Sequence, residues 1–492
     1  KPLRTGNYRM LLQRCLFFLF LLLQFIFSAP LVSAGSIARM EKLPSGEHWF
    51  GIYFNGDRVG FSYLRVREDK SGYEFYGESV VKMNSFAFSR DATFRETYRT
   101  NSDLSLRSFS VHQIIDGTPM TLRGEASPSG IRVLVEAKGT KKEKLLKHRG
   151  ALYPPMAMNI IPLIRGFEPG RVYRISILES EDVKIKKIEI SAVAAETSGT
   201  SGTIHLRNNQ FLVDTDTWVA ADGTPLKESV RDGLVETLEE EEKSIRKFIS
   251  ESALARKDFI TDFSLIRTEK PVSGVTGLKG LTVELSGVPD DAELPENSVQ
   301  KTERREGGKA LFTIDNSLLS ASSPAPAGNP VALDDYLRPA QGIPSDKPET
   351  IARKAAIVGT EKSPAKVMEK LVLWVASQAK NAVSDGSSPV GTGPIGEVGS
   401  LAHARLYASL ARAGGIPTKL VSGLVYVPDK GFLYHSWAES YVGKWIPVDP
   451  LFGEIPANAT HLKLVEGDSE EAMVKLSKFI GNIQAKVLDQ KY

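Results

Sequence analysis

The chain has 492 residues, room for two to four domains at about 100–200 residues each. It is 41% hydrophobic and 25% charged, a globular composition that excludes a wholly disordered chain, a collagen and a polytopic membrane protein. Its 62 basic and 59 acidic residues leave a net charge of +3, without the basic surplus expected of a nucleic-acid binder.

The chain opens with an export pattern. Arg4, Arg9 and Arg14 precede an apolar run from Cys15 to Phe27 broken only by Gln24, and Val32-Ser33-Ala34 offers a small-residue cleavage site. A basic segment, a short apolar core and such a site make residues 1–34 a signal peptide. A spanning helix needs about 20 apolar residues, so the alternative of an uncleaved inner-membrane anchor ranks second. The expected location is periplasmic or secreted, with membrane contact only through an uncleaved signal segment. Cys15 is the single cysteine. A mature chain cleaved after Ala34 therefore has no disulfide, no cysteine-ligated metal and no cysteine nucleophile.

Residues 40–255 are predicted to form a β-rich antiparallel domain. Two apolar runs flank Asn55-Gly56, a strong hairpin signal. Further strands are predicted at 73–76, 92–98, 131–135, 183–195 and 210–213, and a hairpin turns at Ala221-Asp222-Gly223. The acidic run Glu239–Glu242, followed by Lys243 and Arg246, reads as a solvated helical or linker face. Residues 260–320 are predicted to form a small β-sandwich-like module with strands at 263–266, 280–285 and 309–314. The Ser-, Ala-, Pro- and Gly-rich stretch 317–330 is a linker.

From residue 336 the pattern changes. Helices are predicted at 348–358, 364–380 and 401–413, the last with Ala404, Ala408 and Ala411 on one stripe and ended by Gly414-Gly415. A Gly-, Ser- and Pro-rich loop fills 384–400, and three strands follow at 419–426, 432–442 and 445–448. Helices followed by an antiparallel sheet make an α+β domain over 336–492.

The motifs of this last region come in a fixed order. They are Gly399-Ser400 at a helix start, Ala411-Arg412-Ala413-Gly414-Gly415-Ile416-Pro417, Tyr434-His435-Ser436-Trp437 and Val448-Asp449-Pro450. In them the sequence resembles the transglutaminase-like superfamily of papain-type cysteine enzymes. The resemblance implies a nucleophile at the start of the helix, a histidine on the next strand and an aspartate at the end of the strand after it. Ser400 stands where that family has its cysteine, and His435 and Asp449 fill the other two places. The segment Asn458-Ala459-Thr460-His461-Leu462-Lys463-Leu464 also resembles the tail of bacterial members.

The serine decides the functional expectation. A cysteine thiol at a helix N-terminus beside an imidazolium has its pKa lowered to about 3.5–7.5, and the papain-type mechanism uses that preformed thiolate. A serine must instead lose its proton to His435 during attack, with Asp449 orienting the ring. It also needs oxyanion donors, of which the Ser400 N–H is one candidate. For Asp449 to share the face of His435, the turn near Gly443-Lys444 must have an odd number of residues or carry a bulge.

Simpler roles are helix N-capping for Ser400, core packing for His435, strand termination for Asp449 and helix packing for His403. Gly391-Thr392-Gly393-Pro394-Ile395-Gly396 fits G-x-G-x-x-G but lacks the strand–helix context of a dinucleotide site. With seven scattered histidines, no metal or other cofactor is expected.

Two functions remain. One is a cell-envelope binding or scaffold module with lost or altered catalysis, whose old cleft recognises a peptide or another amide-bearing ligand. The other is an acyl-transfer enzyme (a peptidase, amidase or transglutaminase-like catalyst) using Ser400, His435 and Asp449.

Overall fold

The computed structural model describes residues 39–385 and 399–492, apart from 44, 86–87, 199–200, 210–213, 232, 256–259, 261–262 and 320–330. The predicted signal peptide, the predicted strand 210–213 and loop residues 386–398 lie outside the described residues.

The first half of the chain is one antiparallel sheet. Its strands are β1 (Gly46–Phe54), β2 (Asp57–Asp69), β3 (Gly72–Ser85), β4 (Phe88–Asn101), β5 (Leu106–Ile115), β6 (Thr118–Ser127) and β7 (Gly130–Ala137). They continue with β8 (Thr140–Lys147), β9 (Val172–Glu179), β10 (Lys184–Ser198), β11 (Ser201–Asn208), β12 (Thr215–Ala220), β13 (Pro225–Val230) and β14 (Val235–Glu240). In space they run from β8 down to β1, then from β14 down to β9. Asn55 and Gly56, at φ 50° and 85°, make the tight turn that matches the strand twist between β1 and β2.

The sheet curves strongly. Val133 of β7, Ile188 of β10 and Leu206 of β11 share one core with Met158, Ile161 and Leu163 of the short helical stretch 155–164. The edge strand β8 exposes Lys141, Lys142, Lys144 and Lys147, charges that oppose edge-to-edge pairing with another chain.

Helix α1 (Glu242–Leu254) follows β14 and buries Ile245, Ile249 and Ala253 at helical spacing. The acidic run before it is not a simple solvated face. Glu239 and Glu240 end β14; Glu240 accepts a hydrogen bond from Tyr53 at 2.7 Å and pairs with Arg58. Arg246 lies 4.5 Å over the Trp49 ring.

A second sheet contains β15 (Gly280–Ser286), β16 (Gln300–Arg305) and β17 (Lys309–Asp315). The predicted strand at 263–266 is not a strand. Only Ile266 forms a bridge there, to Phe432.

The last region has helices α2 (Pro348–Val358), α3 (Pro364–Asp385) and α4 (Ser400–Ala413), then β18 (Thr418–Val427), β19 (Gly431–Tyr441), β20 (Trp445–Val448), β21 (Leu462–Glu466), α5 (Glu470–Ser477) and β22 (Gln484–Lys491). The third sheet has the order β20-β19-β18-β21. Helix α4 buries Leu401, Ala404, Ala408 and Ala411 on the face turned to the interior. Gly414 caps it with an N–H to the carbonyls of Leu410 and Ala411, and Gly415 takes the left-handed turn at φ 76°. Strand β22 leaves this region and pairs with β15 in the second sheet. Helix α1, the second sheet and the third sheet share one hydrophobic core, to which Trp49, Phe61 and Val80 of the first sheet also belong. The architecture is therefore β-rich with antiparallel sheets and a C-terminal α+β region.

Candidate functional site

Ser400 is the first residue of α4, and Gly399 is its N-cap. The serine side chain does not cap the helix. Its hydroxyl instead donates to Leu254 O at 3.3 Å and accepts from Ser436 N at 3.0 Å. One side chain thus ties the start of α4 to the end of α1 and to β19. Gly399 makes the approach possible: a Cβ there would sit 2.6 Å from Ala255 Cα and 2.9 Å from Leu254 O. Ser400 is 2% exposed.

His435 lies on β19, and Asp449 follows β20. Tyr441 pairs with Trp445 and Ala438 with Val448, so Val442, Gly443 and Lys444 form a three-residue turn. That odd number places Asp449 on the His435 side, with His435 Nε2 2.7 Å from Asp449 Oδ2. The carboxylate can only accept, so this nitrogen carries hydrogen and Nδ1 is the basic one. Asp449 Oδ1 accepts backbone N–H bonds from Leu451 at 2.8 Å and Phe452 at 3.1 Å. Both side chains are fully buried. The Phe452 ring stacks on the imidazole of His435, 5.0 Å away and 7° from parallel.

The structure adds a residue that the sequence did not mark as part of the site. His461 Nε2 lies 2.9 Å from the same Asp449 Oδ2, and its Nδ1 lies 3.1 Å from Asn458 O. The histidines are scattered along the sequence, and their positions gave no sign of this cluster. His435, Asp449 and His461 bring three metal-ligating atoms within 4.8 Å of one another. The sequence signal was weak because His461 reaches Asp449 only after the intervening chain folds back. Asp449 bridges Glu454, and Glu454 accepts from the Asn458 backbone N–H at 3.0 Å and from its side chain at 2.8 Å.

Electrostatics follow from this packing. Burial acts to raise the Asp449 pKa, but His435 and His461 outweigh it and hold the carboxyl well below its usual range. Burial acts to lower the pKa of His461, but the hydrogen bond and charge of Asp449, helped by Glu454, raise it. His403 is pushed down by burial, against its bond to Gly399 O and the charge of Asp449. His403 Nδ1 lies 3.2 Å from that carbonyl.

A second buried charge group sits along the same strand. Glu439 Oε2 lies 3.1 Å from Lys463 Nζ and 3.2 Å from Lys419 Nζ. Both lysines also reach Glu466 Oε2, at 2.8 and 2.9 Å. Asn297 donates to Glu439 Oε1 at 2.6 Å, bringing the loop before β16 onto this sheet.

A helix opening against a histidine-bearing strand, with the histidine bonded to an aspartate after the next strand, is the arrangement implied by the sequence resemblance. Residues 351–450 match the transglutaminase-like superfamily, and the chain carries a transglutaminase-like domain at its C-terminal end. No curated protein matches the sequence. Among solved structures, a candidate cysteine protease from Cytophaga hutchinsonii is similar over 44% of this chain and 84% of its own, at 13% identity and TM-score 0.23. A β-barrel-like protein of a domain of unknown function from Brucella abortus is similar over 40% of this chain and 96% of its own, at 10% identity and TM-score 0.31. A candidate protease from Parabacteroides distasonis covers 78% of this chain and 63% of its own, at 12% identity and TM-score 0.18.

Proposed function

We propose that this protein is exported to the cell envelope and that its transglutaminase-like domain works there as a binding or scaffold module without acyl-transfer catalysis. The observation that carries the reading is the engagement of Ser400. Its hydroxyl hydrogen goes to Leu254 O and its oxygen accepts from Ser436 N, so the proton is not directed at His435. A serine nucleophile depends on that transfer, because its ground-state hydroxyl is not ionised at neutral pH. Burial of Ser400 and of the His435–Asp449 pair adds to the argument. The partner class is a peptide or another amide-bearing ligand, which the ancestral cleft of such a domain suits.

Intact-mass labelling with a serine-reactive fluorophosphonate tests the reading. The expected result is no adduct on the folded chain. One equivalent of adduct, lost in both Ser400→Ala and His435→Ala, would overturn it and leave Ser400, His435 and Asp449 as a working nucleophile, base and orienter.

A further inference from the structure

The geometry points to a divalent metal site of the zinc class formed by His435 Nε2, His461 Nε2 and Asp449 Oδ2. Two features carry the proposal, and neither depends on whether Ser400 reacts.

The first is convergence. Both imidazole nitrogens address one carboxylate oxygen, at 2.7 and 2.9 Å, and all three atoms lie within 4.8 Å of one another. The second is the outer ring of hydrogen bonds. Asp449 Oδ1 is held by the backbone N–H groups of Leu451 and Phe452, which directs Oδ2 inward. His461 Nδ1 faces the Asn458 carbonyl, an acceptor only, so Nδ1 carries hydrogen and Nε2 is the coordinating atom. Metal-bound histidines are oriented by bonds of this kind.

The donor set selects the ion. Two imidazoles and one carboxylate suit zinc, cobalt and nickel better than magnesium or calcium, which take mostly oxygen ligands. Bonds of about 2.0–2.2 Å to a tetrahedral ion separate neighbouring ligands by about 3.2–3.6 Å. The present contacts would therefore open by roughly half an ångström on binding. His461 gives up its Nε2 proton to solvent as the ion binds, and the Nε2 proton of His435 passes to that ring's basic Nδ1. Three protein ligands leave the fourth tetrahedral position for water. Phe452 is 40% exposed and stacks on His435, so its displacement would uncover that ring.

The test uses the full chain, stripped of metal with a chelator and titrated with cobalt(II) while visible absorption is followed. Zinc is titrated in parallel by equilibrium dialysis. One equivalent is expected, with the absorption of a low-coordinate cobalt site. It should be retained in Ser400→Ala and lost in His461→Gln and Asp449→Asn. Less than stoichiometric binding, or an equivalent that survives in a folded His461→Gln chain, overturns the proposal. If the variants do not fold, proton release from the unsubstituted chain decides. About one proton per zinc ion is expected, from His461, whose two nitrogens both face acceptors, and binding without proton release overturns the site. Serine labelling reads Ser400 alone, so the two proposals fail separately.

Discussion

Ser400 satisfies two buried backbone groups that its own helix does not supply: the carbonyl at the end of α1 and an N–H in the middle of β19. Removing one partner of a buried hydrogen bond leaves the other with its desolvation cost, about 1–3 kcal/mol. Ser400→Ala is therefore expected to lower stability by roughly 1–3 kcal/mol in urea unfolding. A loss near zero would mean that these contacts are incidental to the fold. The sequence placed Ser400, His435 and Asp449 together through its resemblance to the transglutaminase-like superfamily, whose motifs they occupy. It could not reveal the partner of Ser400. Leu254 is 146 positions away, and no local pattern links a carbonyl at the end of one helix to a hydroxyl at the start of another.

At the scale of elements, β19 carries two kinds of buried chemistry on one face. His435 meets Asp449 at one end, and Glu439 meets Lys463 and Lys419 farther along. The resemblance made the first legible in advance, and the condition it set, an odd turn or a bulge, is met by the three residues Val442–Lys444. The second was not legible. Its lysines stand on β18 and β21, and β21 pairs with β18 although β19 and β20 come between them in sequence. Glu439 and Lys463 are each 1% exposed. Breaking a buried ion pair costs about 3–5 kcal/mol, because the surviving charge is stranded. Glu466 remains beside Lys463, so Glu439→Ala is expected to cost about 3 kcal/mol, at the low end of that range. Glu439→Gln should recover part of the loss by keeping an acceptor for Asn297. Comparison of the two unfolding midpoints checks this, and equal midpoints would show that the Asn297 bond contributes little.

For the whole molecule, the chain order suggests a β-rich half, a small module and a terminal domain, but one core joins the last two and takes in Trp49, Phe61 and Val80 of the first. Strand alternation and helix stripes identify individual elements. They do not report which distant strand completes a sheet, and β22 is the example. It crosses back from the terminal region to cover β15, pairing along it from Ser286–Gln484 to Gly280–Lys491. Ala485 and Val487 are buried in the core common to α1 and all three sheets. A chain ending at residue 483 loses those ladder hydrogen bonds, and burial of Val487 alone is worth about 2 kcal/mol. It also turns β15 into an open edge, which invites association. Because the core is shared, the loss should not stay in the second sheet. Circular dichroism and the fluorescence of Trp437 and Trp445, read in a chain whose other three tryptophans are replaced by phenylalanine, are expected to report one common transition at a lower denaturant concentration than in the same chain with β22 intact. If tryptophan fluorescence keeps its original midpoint while part of the strand signal is lost earlier, the terminal domain folds apart from β22. The shared core would then be contact without cooperativity.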